Sequence, residues 1–163
     1  MNREHLAAQL LDAIRRVFPA SPVPTRIAGR NSVYEDEYAY VQQYFNGRPW
    51  RDVTLQGLWD EYPGPPDACL TFMSSEGFCY FLPAYLSIFV LNPNAADVVG
   101  DAAVSSLIPT RIDELTFWQR QRFQQFNGEQ RDVIVQFLQY VYTYYADDYA
   151  HHDMQSALEY WIQ

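Results

Sequence analysis

The chain has 163 residues, 48% of them hydrophobic and 17% aromatic, with 13 Tyr and a net charge of −9. That length suits one domain with a real core, and the hydrophobic fraction excludes global disorder. The charge disfavours non-specific nucleic-acid binding, which needs cations to displace counterions, and attraction to anionic lipid; it suits steering toward a basic partner.

Leu6, Leu10, Ile14 and Val17 recur at helical spacing, with Leu11 and Phe18 beside them, and predict an amphipathic helix over residues 4–18. The same stretch lacks a basic region followed by an unbroken apolar run, so it does not read as a secretory signal, and the cytoplasm is the expected location. Pro19, Pro22, Pro24 and Gly29 then predict an ordered surface loop. A second helix is expected from Ser32, whose side chain can form a capping box with Glu35, to about Phe45. Gly47 suits the left-handed position past its end. Thr54 or Asp52 can cap a short helix to about Tyr62, with Trp50, Leu55, Leu58 and Trp59 as its expected buried residues; the Pro-Gly-Pro-Pro run at 63–66 stops it.

Residues 78–93, FCYFLPAYLSIFVLNP, are apolar on almost every side. Ser74 can cap the helix they imply, with Glu76 in its first turn. From Phe78 to Leu91 the run spans about 21 Å at ~1.5 Å per residue, too short for a bilayer core, which takes about 20 apolar residues. A buried core helix is therefore expected, kinked by Pro83, which removes one backbone hydrogen bond. A second reading lets the freed Cys79 carbonyl and Tyr80 line a pocket; no polar constellation accompanies the proline, and the packing reading is preferred. A short helix follows at Ala95–Leu107 and another over residues 113–126. Asn127 and Gln130 form a second capping box, opening a long helix to about Tyr145 whose core face is Val133, Ile134, Phe137, Leu138 and Val141. Tyr140, Tyr144 and Tyr149 continue an aromatic edge, and a last helix over 151–162 buries Met154, Leu158 and Trp161. With no convincing strand and no repeat, the expected fold is all-α: one compact multi-helix domain, residues 1–163, around a proline-kinked helix.

The stretches YFNGRPWRDV, LTFMSSEGFCYFLPAYLSIFVL, FNGEQRDVIVQFLQYV and ALEYW are similar to an uncharacterised bacterial family, a domain of unknown function. The shared features are a Gly-x-x-Trp stretch, a capped helix with Tyr80-Phe81-Leu82-Pro83-Ala84-Tyr85, and a Phe-x-x-Glu-Gln-Arg helix start, together covering most of residues 40–161. Ser74-Ser75 stands where the family has Thr-Pro, Gly77 where it has Ala, and Phe81 where Tyr is common. The resemblance implies a helical domain and no particular activity.

Chemistry-bearing patterns are sparse. In ADDYAHHD, Asp147 and His151, and Asp148 and His152, lie four apart and would share faces of a continuous helix. Two ligands per face fall short of a metal site, and the only other histidine is His5. Cys69 and Cys79 sit in apolar surroundings and read as buried reduced thiols. No nucleophile elbow or phosphate-cradling Gly loop is present, and no cofactor is expected. What remains is surface: Glu35, Asp36, Glu37 and Tyr38; Asp60 and Glu61; Asp147, Asp148 and Tyr149. Aromatic anchors in a negative field suit a basic protein, although solvated helix ends have the same composition. The expected function is thus a non-enzymatic binding protein, in its sharpest form an immunity protein or antitoxin that occludes a basic, nuclease-like toxin. The alternatives are a small metal-dependent or acid–base enzyme near residues 147–153 and a DNA mimic that blocks a nucleic-acid-binding protein. Neither a membrane nor direct nucleic acid is expected as a partner.

Overall fold

A computed structural model describes residues 2–29, 33–110 and 115–163. Ser32 of the first capping box, and Asp113 and Glu114 at the start of the 113–126 helix, lie outside them. Among the described residues the fold is all-α, with one isolated antiparallel bridge, Ala28–Met73, and no strand. The helices sort into two compact units, Pro19–Ser106 and the pairing of Met1–Phe18 with Leu107–Gln163.

The unit made from the chain termini holds α1 (Arg3–Val17), α7 (Phe117–Phe123), α8 (Gly128–Tyr144) and α9 (His151–Ile162). α1 starts where Asn2 accepts a hydrogen bond from the His5 backbone N–H at 2.9 Å. α8 starts on the expected capping box: Asn127 accepts from the Gln130 N–H at 2.9 Å, and the Gln130 side chain accepts from the Asn127 N–H at 3.1 Å. Both α1 and α9 pack on α8, whose face of Val133, Ile134, Phe137, Leu138 and Val141 is buried as the spacing predicts. Met154 and Trp161 of α9 are buried, while Leu158 is half-buried. Trp161 donates its indole N–H to the Leu107 carbonyl at 2.8 Å and meets Phe123 with ring centroids 4.7 Å apart, so the largest side chain of this core is both packed and satisfied. Thr116 caps α7, which is shorter than the 113–126 stretch expected.

The other unit holds α2 (Glu35–Phe45), α3 (Leu55–Asp60), α4 (Cys69–Phe72), α5 (Ser75–Leu91) and α6 (Pro93–Ser105), with a 3-10 turn at Trp50–Asp52. Gly47 has φ +67°, the left-handed value expected past α2. α5 is the buried helix that residues 78–93 imply, and it continues through Pro83 without a break. Ser74 caps it, accepting from the Gly77 N–H at 3.0 Å. Among the described residues no helix is long and apolar enough to cross a membrane. α6 packs on α5 across the single joint Asn92, which caps α6 by accepting from the Ala95 N–H. α6 begins two residues before the expected Ala95 and is interrupted at Asp97, where φ is +44°.

The loop before α2 is ordered by side chains. Gln42 of α2 accepts from the N–H groups of Ile27 and Ala28 at 2.9 and 3.0 Å and donates to the Thr25 carbonyl at 2.9 Å. The Ile27 carbonyl in turn accepts from the Ser74 N–H at 2.7 Å, so this loop is tied to the start of α5. Tyr80 braces the same region, donating its hydroxyl to the Ala20 carbonyl and accepting from the Trp50 N–H at 3.4 Å. Its polar tip is thereby engaged in structure, as the packing reading of the proline segment requires.

Candidate functional site

The surface residues singled out by the sequence fall in both units. In the unit of residues 19–106, Glu35, Asp36 and Glu37 form the first turn of α2, where carboxylates complement the positive end of the helix. Glu35 and Asp36 are exposed; Glu37 and Tyr38 are half-buried. Tyr38 meets Phe72 edge-on at 5.2 Å, and Tyr34, 56% exposed, leans on the same ring at 6.0 Å. Asp60 and Glu61 close α3 and are exposed, Asp60 accepting from the Gln56 amide. Trp59 between these segments is 50% exposed. This corrects its expected place in the core: on a six-residue helix Leu58 already takes the buried face, and the adjacent position turns outward by the helical ~100°. Leu91, the last residue of the apolar run from Phe78, is likewise exposed, because α5 ends there.

Glu37 of the first acidic segment reaches the turn after α3 at Gly64. A methyl group there would lie 3.1 Å from Glu37 Oε2 and 3.0 Å from the Tyr62 ring, so the absence of a side chain lets the α2 carboxylate approach the turn after α3. Glu37 Oε2 is buried and has no hydrogen-bond partner among the described residues. Nearby, the Arg48 guanidinium lies over the Tyr44 ring, 4.3 Å from its centroid, and 3.6 Å from a Glu61 oxygen. A guanidinium thus already rests between an aromatic face and a carboxylate in this unit.

Beneath this surface lies a polar cluster inside the core: Tyr44, Tyr62, Cys69 and Tyr85. The Tyr44 and Tyr62 rings meet edge-on at 5.5 Å. The hydroxyls of Tyr62 and Tyr85 interact with the Cys69 thiol yet make no well-formed hydrogen bond to a nitrogen or oxygen partner among the described residues. Burial pushes the Cys69 thiol up to about 11, partly offset by those hydroxyls. Burial also raises Tyr62, Tyr44 and, most strongly, the fully buried Tyr85; for Tyr44 it outweighs the Arg48 charge. At neutral pH the cluster is uncharged, and Cys69 is a protonated, shielded thiol rather than a nucleophile. The sequence exposed two parts of this arrangement, a buried Cys69 and Tyr85 within the apolar run of α5. The contributions of Tyr44 and Tyr62 carried no local signal.

Asp147, Asp148 and Tyr149 belong to the other unit. The continuous helix that would place Asp147 with His151 and Asp148 with His152 is absent, as the expected helix ends near Tyr145 and His151 imply. α8 ends at Tyr144, residues 146–148 form a 3-10 turn, Tyr149 is extended at φ −131° and ψ 148°, and α9 starts at His151. The four-residue spacing therefore does not put these groups on one face, and the metal reading based on it fails. His151 instead meets Tyr142, whose hydroxyl is 3.1 Å from Nδ1. Among the described residues no three His, Cys, Asp or Glu side chains are grouped as a metal ion would need. Asp147, Asp148 and His152 are exposed and Tyr149 is half-buried.

Fold and surface together define an all-helical protein with an acidic, aromatic-bearing face over an uncharged tyrosine–cysteine core. The chain belongs to a family of unknown function, DUF6714, which matches residues 6–163. The match extends beyond the segments that carry the resemblance in the sequence and includes most of α1. No curated protein and no solved structure matches the chain.

Proposed function

We propose that this chain is a binding protein that receives a basic protein partner on the acidic face formed by the start of α2 and the end of α3. In its sharpest form it is an immunity protein or antitoxin covering the cationic groove of a toxin. The observation that carries the reading is the pairing of outward aromatic rings with exposed carboxylates: Tyr34 beside Glu35 and Asp36, and Trp59 beside Asp60 and Glu61, with Glu37 of the first segment reaching the turn after the second at Gly64. Exposed Trp and Tyr supply contact area at low entropic cost, and the carboxylates supply steering and discrimination. The seat of Arg48 between Tyr44 and Glu61 supports the same chemistry within the chain.

The test is a pull-down from native lysate and from cells co-expressing the adjacent gene, using the natural chain and two variants, Trp59→Ala and Asp36→Lys/Asp60→Lys. One stoichiometric basic partner is expected, bound less tightly as salt rises and at least ~10-fold more weakly by each variant, a loss of one hot-spot contact. A partner held equally by all three chains, or an acidic one, refutes the proposal.

A further inference from the structure

Between α1 and α8 the packed seam opens into a recess of about 270 Å³. Its polar wall is Gln9 from α1 and Gln136, Gln139, Tyr140, Thr143 and Tyr144 from α8. The spacing explains the wall: positions 136, 139, 140, 143 and 144 recur on one stripe of α8. Leu6 and Leu10 line the same stripe of α1 and give the recess an apolar side. Gln9, Gln136, Gln139 and Thr143 are exposed, while Leu10 and Tyr140 of the same lining are buried, so the recess has a polar, solvent-facing side and a packed apolar and aromatic one.

We infer that this recess is a binding site for a small, uncharged nucleobase, taken as the free base or its nucleoside. Size is the first argument. The volume exceeds the ~150 Å³ cavity that holds one benzene ring and lies just below the ~300–1,000 Å³ of sites for larger ligands, which fits one or two fused rings. Charge is the second: no charged side chain is among the lining residues, and although the Arg3 cation acts on Tyr140, the chain carries a net −9, a balance that disfavours a phosphate. The third is hydrogen bonding. The Gln9, Gln136 and Gln139 amides each offer a donor and an acceptor and make no side-chain hydrogen bond among the described residues. Gln pairs with the adjacent acceptor and donor on an adenine edge in just this bidentate way. Thr143 donates its hydroxyl to the Gln139 carbonyl at 2.7 Å, leaving its oxygen as an acceptor toward a ligand amino group. Stacking is the fourth. Tyr140 is largely buried and set against Tyr144 with ring centroids 5.3 Å apart, while Tyr144 is half-exposed at the rim, a partly open aromatic surface held in place by a buried one. Burial and the neighbouring Tyr145 hydroxyl raise Tyr140 to about 12, so it remains a neutral hydroxyl throughout the working range of pH. The site belongs to the unit made from the chain termini, and the inference does not rest on the proposed protein-binding face.

The experiment is ligand-observed NMR followed by calorimetry on the full chain with adenine, adenosine, adenosine monophosphate and glucose. Adenine and adenosine are expected to compete for one site with Kd on the order of 0.1–1 mM, the range open to a ligand of this size. The monophosphate should bind at least ~10-fold more weakly, and glucose not at all. Gln139→Leu and Tyr144→Ala alter exposed or half-exposed positions and should each weaken adenosine ~10-fold or more, with thermal unfolding confirming that the variants are folded. Absence of binding at several times those concentrations overturns the proposal. So does binding indifferent to both substitutions, a monophosphate that binds as well as the nucleoside, or a site that prefers glucose.

Discussion

Gly77→Ala sets two physical effects against each other. Gly77 lies in the first turn of α5, and helix propensity alone favours Ala there by about 1 kcal/mol. The structure opposes this, because an added methyl carbon would lie 2.3 Å from the Ile27 carbonyl oxygen. Relief requires a shift of about 1 Å toward ordinary contact distance, and the atom that must move is held. The Ile27 carbonyl accepts from the Ser74 N–H at 2.7 Å, the Ile27 N–H donates to Gln42, and its side chain is fully buried. Weakening that hydrogen bond costs about 1 kcal/mol, and overpacking the seam costs roughly 1–3 kcal/mol. Net of the propensity gain, Gly77→Ala is expected to destabilise the chain by about 2 kcal/mol, a fall of about 4–8 °C in Tm for a protein of this size. Urea and thermal unfolding of the natural chain and the variant measure it. Gly128→Ala is the matched control, since Gly128 also lies in the first turn of a helix and nothing stands within 4 Å of its added methyl; about 0.5 kcal/mol of stabilisation is expected. A Gly77→Ala chain as stable as the natural one would refute the claim that the Ile27 loop approaches α5 through the missing side chain.

Asp97 holds φ +44° within α6, so Asp97→Gly should stabilise the chain by roughly 1 kcal/mol in urea unfolding; an unchanged midpoint would show that no strain is stored there. Cys69 and the buried tyrosines predict alkaline instability. Each group has a raised value in the folded chain, so the unfolded chain loses its protons first, and stability present at lower pH is lost as pH rises. The window runs from about 9 to about 11 for Cys69 and from about 10 to about 12 for Tyr140. Denaturant midpoints measured across that range should fall, and Cys69→Ala should flatten the lower part of the decline; a midpoint constant to pH 11 would contradict the buried cluster. The two thiols should also differ in reactivity: half-buried Cys79 should react with an aromatic disulfide reagent in the native chain, and fully buried Cys69 only on unfolding. Two equally fast thiols would show that Cys69 is accessible.

Local chemistry made much of this architecture legible in advance. The core face of α8, its Asn127 cap, the Ser74 cap of α5 and the left-handed Gly47 all follow from interactions within one or two helical turns, which a linear reading contains. The end of α8 was legible too: the helix expected to about Tyr145 stops at Tyr144, and the last helix expected from residue 151 starts at His151, so the four-residue spacings in ADDYAHHD cross that break. Trp59 was misplaced because periodicity over six residues cannot tell which of two adjacent apolar side chains meets the core. The opening between α1 and α8 likewise depends on which glutamines face each other across more than a hundred residues of chain.

The sequence by itself determined an all-helical chain, most of its caps and the burial of most of residues 78–90, since helical period and capping are short-range properties. Only the tertiary structure decided that Gly77 receives the Ile27 carbonyl, that Tyr44, Tyr62 and Tyr85 gather with Cys69, and that Glu37 reaches the turn after α3 at Gly64. Those are contacts between segments distant in sequence, set by how helices fit against one another, and no periodicity records them.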